Sequence, residues 1–437
     1  MKKFLSSFLA ILTILSMVIP VSAIENSSEI INPPLEDLSN DLDLETAVQP
    51  LVDANKEYYY INDVSFDDIS VSEENGNIVC DFVLTLNMTQ KANDASQNDF
   101  VKGMLNELGS DISSRARQLD TETFSDEVKN HSAFVAALEK YGLYADAPVA
   151  YIDNQNKVVD YADIVASVAS TEIKDLIHQV SSSIGSASDF TYSVKATYDN
   201  FGNILNRQVE GIDEFYPMEL FFPRTAAEAQ NDAAQAVYDL IDISACRVAK
   251  SANEPAPQGN DSFVYNRVDA RDYADTYTST VKDSENCECG AVHDDGSPVT
   301  IKKDTTKWNP DYAWYCHNDC ANYVSQAMVA GGVETKSPWT PGESAFVSCS
   351  GMYNYFYNTK GWWEKSSSSI CNAGGIIFLI DSDGAKYHAM MCTKNDGYNR
   401  TYSAHTNDKK QATYNVNSTF SSSAVEFYRF TNVNPAH

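Results

Sequence analysis

The stretch from Asp319 to Gly332, DCANYVSQAMVAGG, sets a cysteine at the head of an apolar-periodic run. Read as a helix, it carries Tyr323, Val324, Ala327 and Met328 on one stripe, with Cys320 one turn before them on the same side. Gly331 and Gly332 follow as terminators. Cys320 then falls in the first turn, where unpaired N–H groups and the positive end of the helix dipole stabilise a thiolate and any oxyanion forming beside it. Asp319 reads as the cap of this helix. A cysteine at a helix start is also commonly a small buried hydrophobe, so the chemistry turns on whether a base lies within reach.

Two of the seven histidines fall in one suggestive segment, GGIIFLIDSDGAKYHAMMCTKNDGYNRTYSAHT. It reads as three strands, 376–381, 386–393 and 399–405, with Asp-Gly turns at 383–384 and 396–397. A two-residue loop at Asp396 and Gly397 opposes Asn395 to Tyr398. Counting back along both strands then opposes His388 to His405, with Cβ atoms about 4.5 to 5.5 Å apart. The expected division of labour is Cys320 as nucleophile, His388 as base and His405 as the group that orients it, with Asn407 as a competing orienter.

The chain has nine cysteines, at 80, 246, 287, 289, 316, 320, 349, 371 and 392, and an odd number leaves at least one thiol unpaired within a single chain. CECGAVH at 287–293, with Cys316, His317 and Cys320, offers a rival use of sulfur in a zinc site. The paired C-x2-C knuckles of structural zinc sites are missing, however, so a bridge from Cys287 or Cys289 to Cys316 or another late cysteine is the favoured expectation. The thiol chemistry itself requires no metal and no organic cofactor.

The elements that must position these residues occupy only part of the chain. Residues 1–23, MKKFLSSFLAILTILSMVIPVSA, have the basic start, short apolar run and small-residue end of a secretory signal peptide. Residues 24–55 read as an acidic linker, and 56–250 as an α+β domain of unassigned role. Within it, NIVCDFVLTLNM reads as a strand, and the runs on either side of Asn200-Phe201-Gly202 as a hairpin. SANEPAPQGNDS marks a boundary, so that 251–261 is a linker and 262–437 a second α+β unit. That unit holds all five tryptophans. Among them Trp339, Trp362 and Trp363 read as core more readily than as a substrate groove.

Against 31 basic residues stand 61 acidic ones, a formal charge of -30. Such a surface repels nucleic acid and anionic lipid, and also anionic wall polymers. The expectation is an exported protein with no membrane attachment after signal cleavage.

From about 262 to 434 the sequence resembles the Putative amidase domain of exported Gram-positive bacterial proteins. The resemblance rests on YNRVDARDYADTY, NPDYAWY, DCANYVSQAMVAGG, SPWTPGESAFV, YHAMM and SAHTND, in that order. More distantly it is similar to the NlpC-type and CHAP-type cell-wall peptidases of the papain-like superfamily. The resemblance implies a papain-like α+β fold, in which a helix headed by the nucleophilic cysteine packs on an antiparallel sheet. It also implies amide hydrolysis by Cys320, His388 and His405, with Tyr312 as a side-chain oxyanion donor and peptidoglycan as a default substrate. One departure is Gly374-Gly375, where the distant peptidases often show Gly-Asp. An inactive surface-binding module and a thiol acyltransferase remain alternatives, as does a secreted peptide substrate.

Overall fold

The computed structural model of the chain describes residues 42–109, 121–143, 151–152, 158–211, 214–253, 264–280, 285–293, 295–414 and 424–431. The expected signal peptide lies outside these residues, as does the Pro-rich part of the expected 251–261 linker.

The first described element is helix α1, Leu44–Asn55, which buries Ala47, Val48 and Leu51. Its N-cap Asp43 accepts the Thr46 N–H at 2.9 Å. The supposed acidic linker therefore ends in a packed helix, whose apolar face the acidic residues around it concealed. Strands β1, Tyr59–Glu74, and β2, Asn77–Gln90, follow as a long hairpin. Next come α2 (Asp99–Glu107), α3 (Thr121–Asn130), α4 (Ser132–Lys140), the short pair β3 (Tyr151–Ile152) and β4 (Val158–Val159), and the long α5 (Tyr161–Ser182). Strands β5, Ser188–Tyr198, and β6, Ile204–Glu210, form the hairpin expected around Gly202, whose φ of 80° suits glycine. Then β7 (Phe215–Pro217) and α6 (Ala226–Asn253) complete this half.

The second half opens with α7 (Arg267–Thr276) and a small hairpin of β8 (Glu285–Asn286) and β9 (Thr300–Ile301). Helices α8 (Cys320–Ala330), α9 (Ser344–Val347) and α10 (Cys349–Tyr353) follow. The last strands are β10 (Trp363–Ser366), β11 (Ile376–Ile380), β12 (Lys386–Asn395), β13 (Arg400–Ala404), β14 (Lys409–Tyr414) and β15 (Ala424–Phe430). Strands β10, β15, β11, β12, β13 and β14 pair antiparallel in that order. Trp339 and Trp363 are fully buried among Phe346, Phe356 and Phe430, which settles them as core.

The fold is α+β, as expected, and the two halves share a sheet. Strand β14 meets β5 in parallel at Ala412 and Thr191, so one mixed sheet runs β1-β2-β5-β14-β13-β12-β11-β15-β10 through both. Buried ion pairs stitch the same seam. Glu172 of α5 binds Arg247 at 2.7 Å and also Arg429 of β15, while Glu364 of β10 takes Arg247 at 2.6 Å and Arg429 at 2.9 Å. Arg267 meets Asp175 at 2.5 Å, and Glu210 accepts both Lys302 and Lys409. Removing one partner of a buried pair such as Glu172–Arg429 strands a desolvated charge and costs about 3–5 kcal/mol. No helix among the described residues is long and apolar enough to cross a membrane.

Candidate active site

Helix α8 begins at Cys320, as the apolar stripe predicts, and the first i to i−4 bond is from Tyr323 N–H to the Asp319 carbonyl. The N–H groups of Cys320, Ala321 and Asn322 thus precede the helical ladder and crowd the positive end of its dipole beside the thiol. The helix is buried on nearly every side, from Cys320 through Met328. Its other polar residues have structural partners. Asn322 donates to the Ala313 carbonyl, Tyr323 donates to the Ala274 carbonyl, Ser325 donates to the Phe346 carbonyl, and Gln326 accepts from the Tyr273 hydroxyl. Satisfied in this way, they anchor the helix and leave Cys320 as its chemical group.

The helix packs against β12, where Ala389 and Met391 share a core cluster with Cys320. Strand alternation alone would turn His388 away from that cluster. A bulge intervenes: β12 pairs His388 with Leu379 and Lys386 with Ile380, leaving Tyr387 as an extra residue immediately before the histidine. Bulges re-aim side chains, and half-buried His388 favours the ionised form of the Cys320 thiol through hydrogen bonding and charge.

A further thiol completes the arrangement. Cys349, at the start of α10, lies 3.7 Å from Cys320 sulfur to sulfur, and both residues are buried. The Cys320 thiol is held well below its ordinary range, first by the hydrogen bond with Cys349, against burial, and then by hydrogen bonding and charge from His388 and by the Ala389 N–H. Cys349 is driven the opposite way by the same hydrogen bond and by burial. The pair is thus one in which the Cys349 thiol favours loss of the proton from Cys320. Sequence reading missed Cys349; the available signal was a cysteine after Ser348, whose hydroxyl caps the short helix by accepting the Gly351 N–H at 3.1 Å.

The register expected for the two histidines does not form. Met391 opposes Ser403 and Asn395 opposes Arg400, with a bulge between, so the connection is a four-residue loop, Asp396–Asn399. The cause lies in the other half of the chain. The Asp396 carboxylate accepts from Tyr59, its carbonyl accepts from Gln90 and Asn98, and Asn399 donates to Asn55 and Tyr59. These buried contacts override the two-residue turn that Asp-Gly favours locally.

His405, one residue beyond the end of β13, is therefore not opposed to His388, and its ring nitrogens are bonded elsewhere. Its Nδ1 meets Asp319 Oδ2 at 2.7 Å and its Nε2 meets the Tyr277 carbonyl at 2.6 Å, engaging both ring nitrogens. The ring is sandwiched between Trp308 and Tyr323, with centroids at 4.2 and 4.0 Å. Asp319 gives no side-chain cap to α8; its carboxylate accepts from Tyr315 N–H, Asn322 and His405, while its own N–H donates to Thr406. His405 therefore fixes the residue before the nucleophile rather than the base. Asn407, exposed at φ 73°, accepts from Lys302 N–H and does not serve His388. Tyr312 is half-buried and stacks with Phe346 at the edge of the cluster holding Cys320, its phenol pushed up by burial and so retained as a proton donor.

Elsewhere, Cys287 and Cys316 are joined in a disulfide, one of the bridges expected from the sequence. His293 lies apart from it, and Cys289 and His317 lie against it.

A thiol at a helix start whose ionised form is favoured by a second thiol and an imidazole suits acyl chemistry through a thioester. Residues 264–428 match the family described as Putative amidase domain, the family that the sequence motifs resemble, and the match points to a hydrolase acting on amides. No curated protein and no solved structure matches the chain.

Proposed function

We propose that the protein is an exported cysteine amidohydrolase with a papain-like catalytic half. The Cys320 thiolate attacks the carbonyl carbon of an amide, and the first-turn N–H groups of α8, aided by Tyr312, hold the oxyanion. His388 gives its proton to the leaving amine as the C–N bond breaks, leaving a thioester on Cys320. His388 then takes a proton from water, hydroxide displaces the sulfur, and the acid product leaves with the thiolate restored. His405 acts only through Asp319, as a positioning residue.

The observation that carries this reading is the buried Cys320 at the head of α8, 3.7 Å from the Cys349 sulfur, with Cys349 and His388 both favouring its thiolate. Export rests on the signal-like residues 1–23, and peptidoglycan stem peptides or the sugar-peptide amide are the proposed substrates, with secreted peptides as the rival. The test is incubation of the mature protein and of Cys320→Ala with purified peptidoglycan and a peptide library, read by mass spectrometry. Cleavage by the first and not the second is expected; equal cleavage by both would remove the thiol from the mechanism.

A further inference from the structure

Four side chains outside the catalytic centre converge on one point. The ligand atoms of Cys287, Cys289, Cys316 and His317 all lie within 4.8 Å of one another. His317 Nδ1 is 3.2 Å from the Cys287 sulfur and 3.3 Å from the Cys289 sulfur, and the sulfurs of Cys287 and Cys289 are 2.8 Å apart. The disulfide between Cys287 and Cys316 accounts for only two of these groups. Cys289 and His317, which a disulfide does not need, are aimed at the same spot.

The local chain explains the convergence. Cys287 opens a turn and Cys289 is its third residue, so the bend of the chain brings their sulfurs together. Gly290, at φ 71°, closes a turn by giving its N–H to the Cys287 carbonyl at 3.0 Å. Cys316 and His317 come from the turn leading into α8, where Asn318 N–H bonds the Tyr315 carbonyl. Cys287 is buried, Cys316 and His317 are half-buried and Cys289 is exposed, so the cluster is sheltered yet open on one side.

The geometry points to a structural zinc site of three thiolates and one imidazole, formed by Cys287, Cys289, Cys316 and His317 in the reduced chain. This inference is independent of the amide-hydrolase reading. Three sulfurs and one nitrogen suit tetrahedral zinc, with Zn–S near about 2.3 Å and Zn–N about 2.0–2.1 Å. Bond lengths of that order set tetrahedral neighbours roughly 3.5–3.8 Å apart, so the ligands would spread slightly around the ion. Disulfide and metal are alternative states of the same sulfurs. Two-electron reduction by a dithiol or a phosphine yields two thiols from the disulfide, and zinc binding by three thiols releases three protons. The ion would pin the β8–β9 hairpin to the turn three residues before Cys320.

The test uses the full mature protein, reduced anaerobically with a phosphine, given zinc and freed of excess by gel filtration. The expected result is one zinc per chain by atomic emission. Cobalt in its place should give thiolate charge-transfer bands and the visible bands of a tetrahedral site. Cys289→Ser and His317→Ala should each weaken zinc binding at least about tenfold, whereas Cys320→Ala should keep full stoichiometry. Substoichiometric zinc with no cobalt charge-transfer bands in the wild type would overturn the assignment. So would wild-type affinity in both Cys289→Ser and His317→Ala, or loss of zinc in Cys320→Ala.

Discussion

Cys349→Ala removes the thiol that stands 3.7 Å from Cys320 and is the leading cause of its depressed pKa. A hydrogen bond to a charged group contributes about 1.5–3 kcal/mol, and a sulfur donor belongs at the weak end of that range. At 1.36 kcal/mol per unit, the Cys320 pKa should rise by about one unit. At a pH below both midpoints the thiolate population falls about tenfold, while each surviving thiolate is about threefold more nucleophilic, so alkylation slows about three- to fourfold. The assay is the pH dependence of iodoacetamide reaction, followed by mass spectrometry on the Cys320 peptide because six other cysteines are free. Cys349→Ser supplies a stronger donor and should hold the midpoint at or below that of the wild type. An unchanged midpoint in Cys349→Ala would refute the thiol–thiolate pair.

The two histidines should behave oppositely on substitution. His388→Ala should abolish amide cleavage and leave the melting temperature within about 2 °C. His405→Ala should destabilise by about 3 kcal/mol in denaturant titration, because it takes the imidazole from Oδ2 of the buried Asp319 carboxylate and leaves only neutral donors on the other oxygen. Asp408, buried beside Trp308, has its carboxyl pushed up to about 6 by burial, against favourable contacts with His405 and the Asp304 N–H. A folded-state pKa raised above the unfolded value means that stability falls as pH rises from about 4 to 6. Asp408→Asn should therefore stabilise the protein by about 1–3 kcal/mol at pH 7 and remove that slope, as equilibrium unfolding at several pH values would show. Glu172 is opposite in sign: although burial opposes it, Arg429 and Arg247 hold the carboxyl at about 2. Its stabilisation is present above about pH 4.5 and lost as pH falls toward 2, and Glu172→Gln should shift acid unfolding to higher pH, read by circular dichroism.

Local pattern carried much of the site. The apolar stripe and paired glycines located α8 and set Cys320 at its head, and Asp-Gly turns delimited the strand carrying His388 and the one that ends just before His405. The register between those strands was not legible, because Tyr59, Gln90 and Asn98, some 300 residues away, hold the Asp396–Asn399 loop open. Cys349 was hidden for a related reason: 29 residues separate it from Cys320, and only the packing of α10 on α8 joins them. The seam between the halves turns on a single parallel pairing, Ala412 with Thr191, and on ion pairs distant in sequence, none of which has a local signature.

Intact-mass spectrometry of the mature protein during turnover of a cleavable amide tests the central claim most directly. The account predicts a mass increase equal to the acyl part of the substrate, mapped to the peptide containing Cys320 and absent from Cys320→Ala. Undiminished amide cleavage by Cys320→Ala, with no adduct on the wild type, would contradict it.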